Sequence, residues 1–326
     1  MNILINKITL YVFVGLIIIV LVNMRVFSMS DVNDTISNSQ SDNAKGYNDI
    51  VLFKNNIYAV GSDERIDLIP KSGKIVTIHN SGRYELNCAA GNDEVFIAAG
   101  NHGTILYSLD GRSFSYAESN TDKNINGIAY KDGMFIAGSE GGEIFISANG
   151  KSWLKTETNA KGNILSLSSN KAFFIGITDA GEIIKSSDGR TWEIQNYNTE
   201  YEGYNRFSKF SKVLAIENRI VIIGTHNDGT PSILFSSLGN VWTERVPIYY
   251  DDGGTARYLA SKPNDVTYDM SEDQFIIACD NGELLSMPSC SKCNKYLKIT
   301  KTNLNAITSA NNSLIIAGNG FSVFRQ

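Results

Sequence analysis

The sequence feature that most constrains the fold is a short hairpin pattern that recurs along the chain. In residues 181–192 (GEIIKSSDGRTW), an apolar strand leads into an Asp-Gly turn, and an aromatic residue opens the return strand. Asp-Gly between two such runs favours a tight β-hairpin, because both residues tolerate the positive φ angles that the turn requires. Related copies are GTILYSLDGRSF (103–114), GEIFISANGKSW (142–153) and ILFSSLGNVW (233–242). The chain's three tryptophans all occupy one position of the repeat, and Phe114 occupies the same position.

A second marker precedes the hairpins, an apolar strand that usually ends in glycine. Successive markers lie 38 or 39 residues apart, except for two longer intervals of 48 and 55 residues. They end at Gly61, Gly100, Gly138, Gly176, Gly224, Cys279 and Gly318. Another apolar strand comes before every marker. Each unit of about 40 residues is therefore predicted to contain four short strands joined by tight turns.

Units of this size and strand number are typical of a β-propeller, in which four-stranded sheets stand radially around an axis. A single sheet of this kind exposes two apolar faces, which only its two neighbours can bury. Seven units account for residues 47–326, so we expect an all-β, seven-bladed β-propeller, with six or eight blades as alternatives. The seventh unit ends after three strands, and a strand near Thr35 and Ile36 is the candidate for closing the ring.

The recurring hairpin turn is expected to have a structural role. Its aromatic residue would pack between two blades, while its carboxylate and hydroxyl groups would bind the amides of the turn. The first unit (69–74), the sixth (286–293) and the seventh lack this turn. The residues assigned to the turns are Ser108, Asp110, Gly111, Phe114, Ser147, Asn149, Gly150, Trp153, Ser186, Asp188, Gly189, Thr191, Trp192 and Trp242.

The pattern S-x-D-G-x-T-W at residues 186–192 resembles the Asp-box of the bacterial neuraminidase repeat (BNR). The fuller pattern, a strand ending in glycine followed by G-E-I and the box, resembles the propellers of the photosystem II assembly and stability factor family, within the sialidase-like superfamily. The resemblance covers most of residues 48–326. It implies a blade type and leaves the chemistry open, because Asp-boxes occur in hydrolases and in binding propellers alike.

Residues 1–30 differ from the rest of the chain. Lys7 precedes an uninterrupted apolar run, residues 8–22, which has the length of a signal-peptide core and is short for a membrane-spanning helix. The run is predicted to be a hydrophobic helix that acts either as a cleaved signal peptide or as an uncleaved anchor. Both alternatives predict an extracytoplasmic protein, secreted or held by one N-terminal segment. Residues 31–46, rich in Asp, Asn and Ser, are expected to form a flexible tether.

Charge and composition argue against several classes of function. The net charge is −5 and no basic cluster is present, which argues against binding to nucleic acid. The three histidines fall in different units, so neither a metal site nor a cofactor is expected. Asp251 and Asp252 are compatible with calcium, but a solvated turn is the simpler interpretation.

The cysteines have two different interpretations. Cys290 and Cys293 replace the missing hairpin turn of the sixth unit, and a local disulfide between them is the favoured interpretation of this CxxC pattern. A zinc site would require a second pair of ligands. Cys88 and Cys279 lie in predicted strands and are expected to be ordinary buried residues.

Two long insertions suggest where a partner would bind. In a propeller, the turns between the second and third strands lie on the same face as the crossings between blades, opposite the box turns. The intervals of 48 and 55 residues place two aromatic crossings there, at 197–212 and 246–265. Long loops with exposed Tyr and Arg favour recognition, although the same aromatics would also serve to pack the insertions down. The candidate binding residues are Tyr201, Tyr204, Arg206, Phe207, Tyr249, Tyr250, Arg257 and Tyr258.

The sequence therefore favours a non-enzymatic binding or scaffold propeller that recognises a protein, peptide or glycan on the face opposite the boxes. The alternative is a sialidase-like glycoside hydrolase. That enzyme would need three converging arginines, for which Arg83, Arg206 and Arg257 are the candidates, and a Tyr-Glu pair, for which the adjacent Tyr201 and Glu202 are poorly suited. Glu143, Glu182 and Glu283 recur at one repeat position, which indicates a structural role.

Overall fold

The computed structural model describes residues 34–37, 45–197, 209–251, 253–288, 295–310 and 313–325. The contacts of the chain divide it into two units, 1–31 and 32–326, and all the described residues belong to the second. The predicted N-terminal helix and signal or anchor segment lie outside the described residues. No helix within the described ranges is long and apolar enough to cross a membrane.

Seven four-stranded antiparallel sheets make up the fold, which confirms the predicted all-β, seven-bladed β-propeller. The first strand in the chain, β1, is Asp34–Ser37. Blade 1 contains β2 (Tyr47–Phe53), β3 (Asn56–Gly61), β4 (Arg65–Ile69) and β5 (Val76–His79). Blade 2 contains β6 (Leu86–Gly91), β7 (Phe96–Gly100), β8 (Ile105–Ser108) and β9 (Ser115–Tyr116). Blade 3 contains β10 (Ile125–Lys131), β11 (Met134–Ser139), β12 (Ile144–Ser147) and β13 (Leu154–Thr156).

The remaining blades follow the same plan. Blade 4 contains β14 (Ile164–Ser169), β15 (Phe174–Thr178), β16 (Glu182–Ser186) and β17 (Glu193–Asn196). Blade 5 contains β18 (Lys209–Ile216), β19 (Arg219–Thr225), β20 (Pro231–Ser236) and β21 (Thr243–Arg245). A separate hairpin of β22 (Ile248–Tyr250) and β23 (Ala256–Tyr258) precedes blade 6, which contains β24 (Pro263–Asp269), β25 (Gln274–Cys279), β26 (Glu283–Pro288) and β27 (Lys295–Lys298). Blade 7 contains β28 (Leu304–Ala310), β29 (Ser313–Gly318) and β30 (Ser322–Arg325).

The ring is closed by a strand from the beginning of the chain. Strand β1 pairs antiparallel with β30, with Thr35 opposite Phe324 and Ile36 opposite Val323, and supplies the fourth strand of blade 7. The four residues of β1 lie inside the segment 31–46 predicted to be a tether, at the position expected for a closing strand. A bridge between Gly46 and Asn319 adds a second link between the two ends of the propeller.

The core lies between the blades. Separate clusters of buried side chains join blades 7 and 1, 1 and 2, 2 and 3, 3 and 4, 4 and 5, and 5 and 6. Second strands such as β15 (FIGIT) are buried along their whole length, because neighbouring blades cover both of their faces. Outer strands such as β17 (EIQN) are mostly exposed. Burial is thus greatest in the second strands, lower in inner strands such as β14 and lowest in the outer strands.

Candidate binding surface

The two ends of the propeller carry different turns. We call one end the box face, which carries the turns between third and fourth strands at 109–114, 148–153, 187–192 and 237–242. We call the other end the crossing face, which carries the second-to-third turns and the crossings between blades. Four of these second-to-third turns form short 3-10 segments, at Ser62–Glu64, Asn101–Gly103, Glu140–Gly142 and Asp280–Gly282.

The box turns are held by their own side chains. In blade 4, the Ser186 hydroxyl accepts a hydrogen bond from the Gly189 amide at 2.8 Å, and the Asp188 carboxylate accepts the amides of Arg190 and Thr191 at 2.8 Å each. Blade 2 repeats these bonds with Ser108 and Asp110, and blade 3 repeats them with Ser147 and Asn149. The backbone amides lower the pKa of both Asp110 and Asp188 to about 2. These side chains therefore stabilise the turns.

The aromatic residue that ends each box turn packs between blades. Trp153 is only 1% exposed and lies in the cluster that contains Ile97 of blade 2 and Phe135 of blade 3. Phe114 meets Phe96 edge-on at 5.3 Å between blades 1 and 2. Trp192 packs between blades 3 and 4. Trp242 packs between blades 4 and 5, where its indole N–H donates to the Gln195 side chain at 3.2 Å.

A set of asparagines links the inner strands and is not anticipated by the repeat pattern. Each inner strand has a one-residue bulge near its start, after its first residue in six blades and after its second in blade 5. The bulged residue is Asn48, Asn87, Asn126, Asn264 and Asn305 in blades 1, 2, 3, 6 and 7, and its amide donates to the first carbonyl of the next inner strand at 2.9–3.1 Å. Leu165 and Ser211 stand there in blades 4 and 5. The 39-residue spacing of Asn48, Asn87 and Asn126 was the available sequence signal.

A charged cluster occupies the centre of the ring. The Lys212 ammonium group lies 3.6 Å from Asp49 and 3.5 Å from Asp265. Because blades 5 and 1 are not neighbours, the first of these contacts crosses the axis. Burial opposes the charge of Lys212, but the carboxylates of Asp265 and Asp49 raise its pKa above the ordinary value. Burial also raises the pKa of Asp265, an effect that Lys212 opposes.

The Cys88 thiol beside this cluster is not an activated nucleophile. Burial and the nearby Asp49 carboxylate raise the pKa of the Cys88 thiol, which therefore remains protonated. Cys88 and Cys279 are both buried free cysteines, as their strand positions suggest. Among the described residues, no group of three or more His, Cys, Asp or Glu side chains is arranged to hold a metal ion. Cys290 and Cys293, the predicted disulfide, lie outside the described residues.

The carboxylates at the recurring repeat position have local partners. Glu143 binds Lys123 and Lys155 at 2.8 Å each, Glu182 accepts the Lys161 amide at 2.8 Å, and Glu283 lies 3.7 Å from Lys298. They stabilise three different blades.

The candidate residues for a hydrolase are distributed over separate crossings. The Arg83 guanidinium lies over the Tyr116 ring at 5.9 Å, while Arg257 binds Asp251 at 3.0 Å. Arg206, Tyr201 and Glu202 lie outside the described residues. A tyrosine–glutamate pair does exist, in which Tyr116 donates to the buried Glu64 at 2.8 Å. Burial and this bond raise the pKa of Tyr116, which keeps the phenol protonated.

The β22–β23 hairpin presents the described part of the predicted aromatic rim. Tyr249 stacks on Tyr296 of β27, with ring centroids 4.2 Å apart and planes 10° apart. Tyr250 lies opposite Ala256, and Tyr258 lies opposite Ile248, so the alternation of a strand places both tyrosines on the side away from Tyr249. Tyr250 is 52% exposed and Tyr258 is 66% exposed.

The turn of this hairpin is held by a carboxylate. Asp251 accepts the amides of Gly253 and Thr255 at 3.1 and 2.8 Å, and it binds Arg257. These amides and the arginine lower the pKa of Asp251. The hairpin is thus anchored on one side by Tyr249 and presents Tyr250, Ala256 and Tyr258 on the other. The other half of the predicted rim, Tyr201, Tyr204, Arg206 and Phe207, lies outside the described residues.

Comparison with known proteins identifies the fold. No family model matches the chain, and no curated protein matches it either. Among solved structures, the chain is similar to YCF48 bound to D1 peptide, with 17% identity, a TM-score of 0.65, and coverage of 90% of this chain and 96% of that one. It is also similar to YCF48 from Cyanidioschyzon merolae (12% identity, TM-score 0.65, 90% and 97% covered) and to the WD40 propeller domain of Doa1 (11%, 0.63, 89% and 95%). At these identities the likeness shows a shared β-propeller fold.

Proposed function

We propose that this protein is a non-enzymatic binding propeller that holds a protein or peptide segment on the crossing face, with the β22–β23 hairpin as a principal contact. One observation carries the proposal: Tyr250 and Tyr258 project from the same side of a hairpin whose other side is fixed to blade 6. Exposed aromatic side chains on a braced support provide a large contact area at a small cost in conformational entropy.

The chemistry of the hairpin suits a polypeptide ligand. Tyr250 and Tyr258 flank the small side chain of Ala256, which leaves room for another chain to lie across them. Their rings offer apolar area and their hydroxyl groups offer hydrogen bonds, the combination found at recognition surfaces. One solved structure of similar fold is described as YCF48 bound to D1 peptide, which supports a peptide as the class of ligand.

We also propose that the protein acts outside the cytoplasmic membrane, secreted or anchored by its N-terminal segment. The support is the apolar run 8–22 preceded by Lys7. The resemblance of the repeats to Asp-boxes supports placing the chain among BNR-type propellers. A scaffold or assembly role for a partner protein would follow from both proposals.

The experiment selects linear peptides from a displayed random library against the full chain. Bound peptides are then measured against a Tyr250→Ser/Tyr258→Ser double variant and against a control, Leu154→Ser/Met270→Ser. The control removes two large side chains outside the hairpin, which are 70% exposed at the start of β13 and 68% exposed in the turn between β24 and β25. We expect the tyrosine variant to weaken binding at least tenfold and the control to leave it within twofold. Equal binding by both variants would overturn the assignment of the hairpin.

Two further measurements address the other classes of ligand. A glycan array probed with the same three proteins should show no binding that depends on Tyr250 and Tyr258, and binding that does depend on them would replace the peptide by a glycan. Turnover of a fluorogenic sialoside by the purified chain would overturn the non-enzymatic proposal.

A further inference from the structure

The residue directly before each outer strand determines how the box-face end of a blade junction is filled. That residue is Ile75, Phe114, Trp153, Trp192 and Trp242 in blades 1 to 5, and in every one of them the side chain packs on a cluster between blades. In blade 6 the residue directly before β27 is Asn294, and residues 289–294 contain no aromatic. Met287 also takes the place of the box serine, because it pairs with Phe275 as Ser186 pairs with Phe174.

A cavity of about 480 Å³ lies at the junction of blades 5 and 6. Phe235, Phe275 and Met287 contribute to its apolar lining, and the rings of Phe235 and Phe275 are 5.7 Å apart. Leu238 and Val241 of the blade 5 box turn also line it, which places the cavity at the box face. Its volume is within the range of small-molecule sites.

Strand register shows that this cavity corresponds to a tryptophan position. Between blades 4 and 5, the indole N–H of Trp242 donates to the side chain of Gln195 in β17. Gln195 pairs across the sheet with Ile183 of β16, and Ile183 lies two residues before Lys185 in that strand. In blade 5, Arg245 pairs with Ile233, two residues before Phe235. Lys185 and Phe235 occupy equivalent positions, because each pairs with the first residue of its blade's outer strand. Gln195 and Arg245 are each the third residue of that outer strand, so Arg245 in blade 5 is the counterpart of Gln195 in blade 4. The cavity is lined by the residue that corresponds to the hydrogen-bond partner of Trp242.

The charge around the cavity selects among aromatic ligands. The Arg245 guanidinium lies 5.0 Å from the Phe235 ring centroid, and among the described residues it has no carboxylate partner. Arg219, which also lines the cavity, already binds Glu217 and Asp273 at 3.5 and 3.1 Å. An occupant that brings a carboxylate would therefore pair with Arg245 rather than with Arg219.

We propose that this cavity is a second binding site, which accepts an aromatic side chain of a partner polypeptide together with an adjacent carboxylate. The aromatic ring packs against the edge-to-face pair of Phe235 and Phe275, as the chain's own tryptophans pack at other junctions, and the carboxylate binds Arg245. The site lies on the box face and does not depend on the β22–β23 hairpin, so its ligand is distinct from the one proposed for the crossing face.

The probe that reproduces this chemistry is N-acetyl-tryptophan, with N-acetyl-tryptophanamide and N-acetyl-leucine as matched compounds. Binding is followed in the full chain by NMR of 13C-labelled methionine methyl groups. Met287 lines the cavity, whereas Met134 of blade 3 and the 68% exposed Met270 do not. We expect saturable binding with a dissociation constant on the order of 1 mM, a size set by the few heavy atoms of the probe. The ring current of the indole should shift the Met287 signal alone.

Two variants test the location. Thr243 faces the same side of blade 5 as its cross-strand partner Phe235, so Thr243→Trp fills the cavity. Leu154→Trp is the control, because Leu154 has the same strand position in blade 3, opposite Ile146. We expect Thr243→Trp to weaken N-acetyl-tryptophan binding at least tenfold and Leu154→Trp to change it less than twofold, with both proteins retaining cooperative unfolding.

A third variant tests the carboxylate contact. Arg245→Gln should weaken the binding of N-acetyl-tryptophan about threefold to tenfold and leave the binding of N-acetyl-tryptophanamide unchanged. The variant would then no longer prefer the acid to the amide. No Met287 shift at about 10 mM probe, unchanged binding by Thr243→Trp, or equal binding of N-acetyl-leucine would overturn the site. Equal binding of acid and amide by the unmodified chain would overturn the role of Arg245. Tyr250→Ser/Tyr258→Ser should bind the probe normally, which separates this test from that of the crossing face.

Discussion

The junctions among blades 1 to 4 and the junctions on either side of blade 5 are built from the same four-stranded sheets, but different side chains join them. Between blades 1 and 2, 2 and 3, and 3 and 4, an asparagine links the inner strands and a box aromatic fills the outer part. Between blades 4 and 5 the asparagine is replaced by Leu165, although Trp242 is present. Between blades 5 and 6 neither feature occurs in the residues that the structure describes.

The difference teaches where function can be placed on a repeated fold. Where the repeat is regular, side chains at the blade junctions bind one another and leave little for a ligand. Around blade 5, the chain instead has two long insertions, the axial Lys212, the exposed tyrosines of the hairpin and the cavity of about 480 Å³. Positions around blade 5 that depart from the repeat do not make the junction contacts that the repeat makes elsewhere. Both proposed sites lie at such positions.

The largest effect should come from the regular side. Trp153→Ala removes a side chain that is 1% exposed and should cost about 3 to 5 kcal/mol of unfolding free energy, since a large cavity remains between blades 2 and 3. Phe235→Ala, which only enlarges an existing cavity, should cost about 1 to 2 kcal/mol. Urea denaturation of the two variants measures both values. Equal losses would remove the contrast between a filled junction and an open one.

The next effect concerns the axis of the ring. Lys212→Met leaves Asp49 and Asp265 without their shared cation and should cost about 3 kcal/mol at pH 7.5. Burial already raises the folded-state pKa of Asp265, and loss of Lys212 raises it further. A carboxyl group whose pKa is higher in the folded state than in the unfolded state stabilises the fold at a pH below its unfolded-state pKa. This stabilisation is lost as the pH rises through its folded-state pKa. The penalty should therefore be smaller at pH 5 than at pH 7.5, as urea denaturation at both would show.

A second substitution makes this prediction specific. Adding Asp265→Asn to the Lys212→Met variant removes one of the two facing carboxylates and should restore part of the lost stability at pH 7.5. A penalty that is independent of pH, or one that the second substitution deepens, would mean that Lys212 stabilises the ring by packing and not by charge.

Much of the fold could be predicted from the sequence because a propeller repeats its local signals. The recurring glycine-ended strand defined seven units, and the position shared by Phe114 and the three tryptophans identified the residue before each outer strand. Residues near Thr35 and Ile36 were located by the missing fourth strand of blade 7, although their local composition is poor for a strand. Here the pairing with β30 outweighs intrinsic propensity.

The features that were missed depend on contacts between distant residues. Lys212, Asp49 and Asp265 are far apart in the chain and meet only because the ring brings their inner strands to one axis. The opposite roles of Tyr249 and Tyr250 depend on the register of β22 with β23 and on the distant Tyr296. The asparagine links were visible as a 39-residue spacing but need the bulge geometry to show their purpose.

A smaller effect tests those links directly. Asn126→Leu gives blade 3 the residue that blade 4 has at the same bulge. It removes the bond that Asn126 donates to the Ile164 carbonyl at 3.0 Å and the bond that it accepts from the Asn87 amide at 3.2 Å. The loss should be about 1 to 2 kcal/mol, the net value of two partly buried hydrogen bonds. Asn196→Leu on an exposed outer strand is the control and should change stability by less than about 0.5 kcal/mol. Indistinguishable urea midpoints for the two variants would show that the links do not hold the blades together.

The smallest effect compares two box turns that differ in charge. Blade 4 uses Asp188, and blade 3 uses Asn149 to accept the same pair of amides. Because backbone amides lower the folded pKa of Asp188 to about 2, below its unfolded value of about 4, its contribution is present above about pH 4 and is lost as the pH falls towards 2. Asp188→Asn keeps the acceptor and should change stability at pH 7 by less than about 1 kcal/mol.

The pH dependence of that small change is more informative than its size. The stability difference between the natural chain and Asp188→Asn should move in favour of the variant between pH 4 and pH 2, because only the natural side chain must take up a proton there. Asn149→Asp is the reciprocal change, and it should give blade 3 the acid sensitivity that blade 4 loses. Urea denaturation at pH 2.5, 4 and 7 measures both variants. Parallel pH profiles for all three proteins would mean that the backbone amides of the turn stabilise a carboxylate and a neutral side-chain amide equally. The charge of Asp188 would then make no contribution to the stability of its box turn.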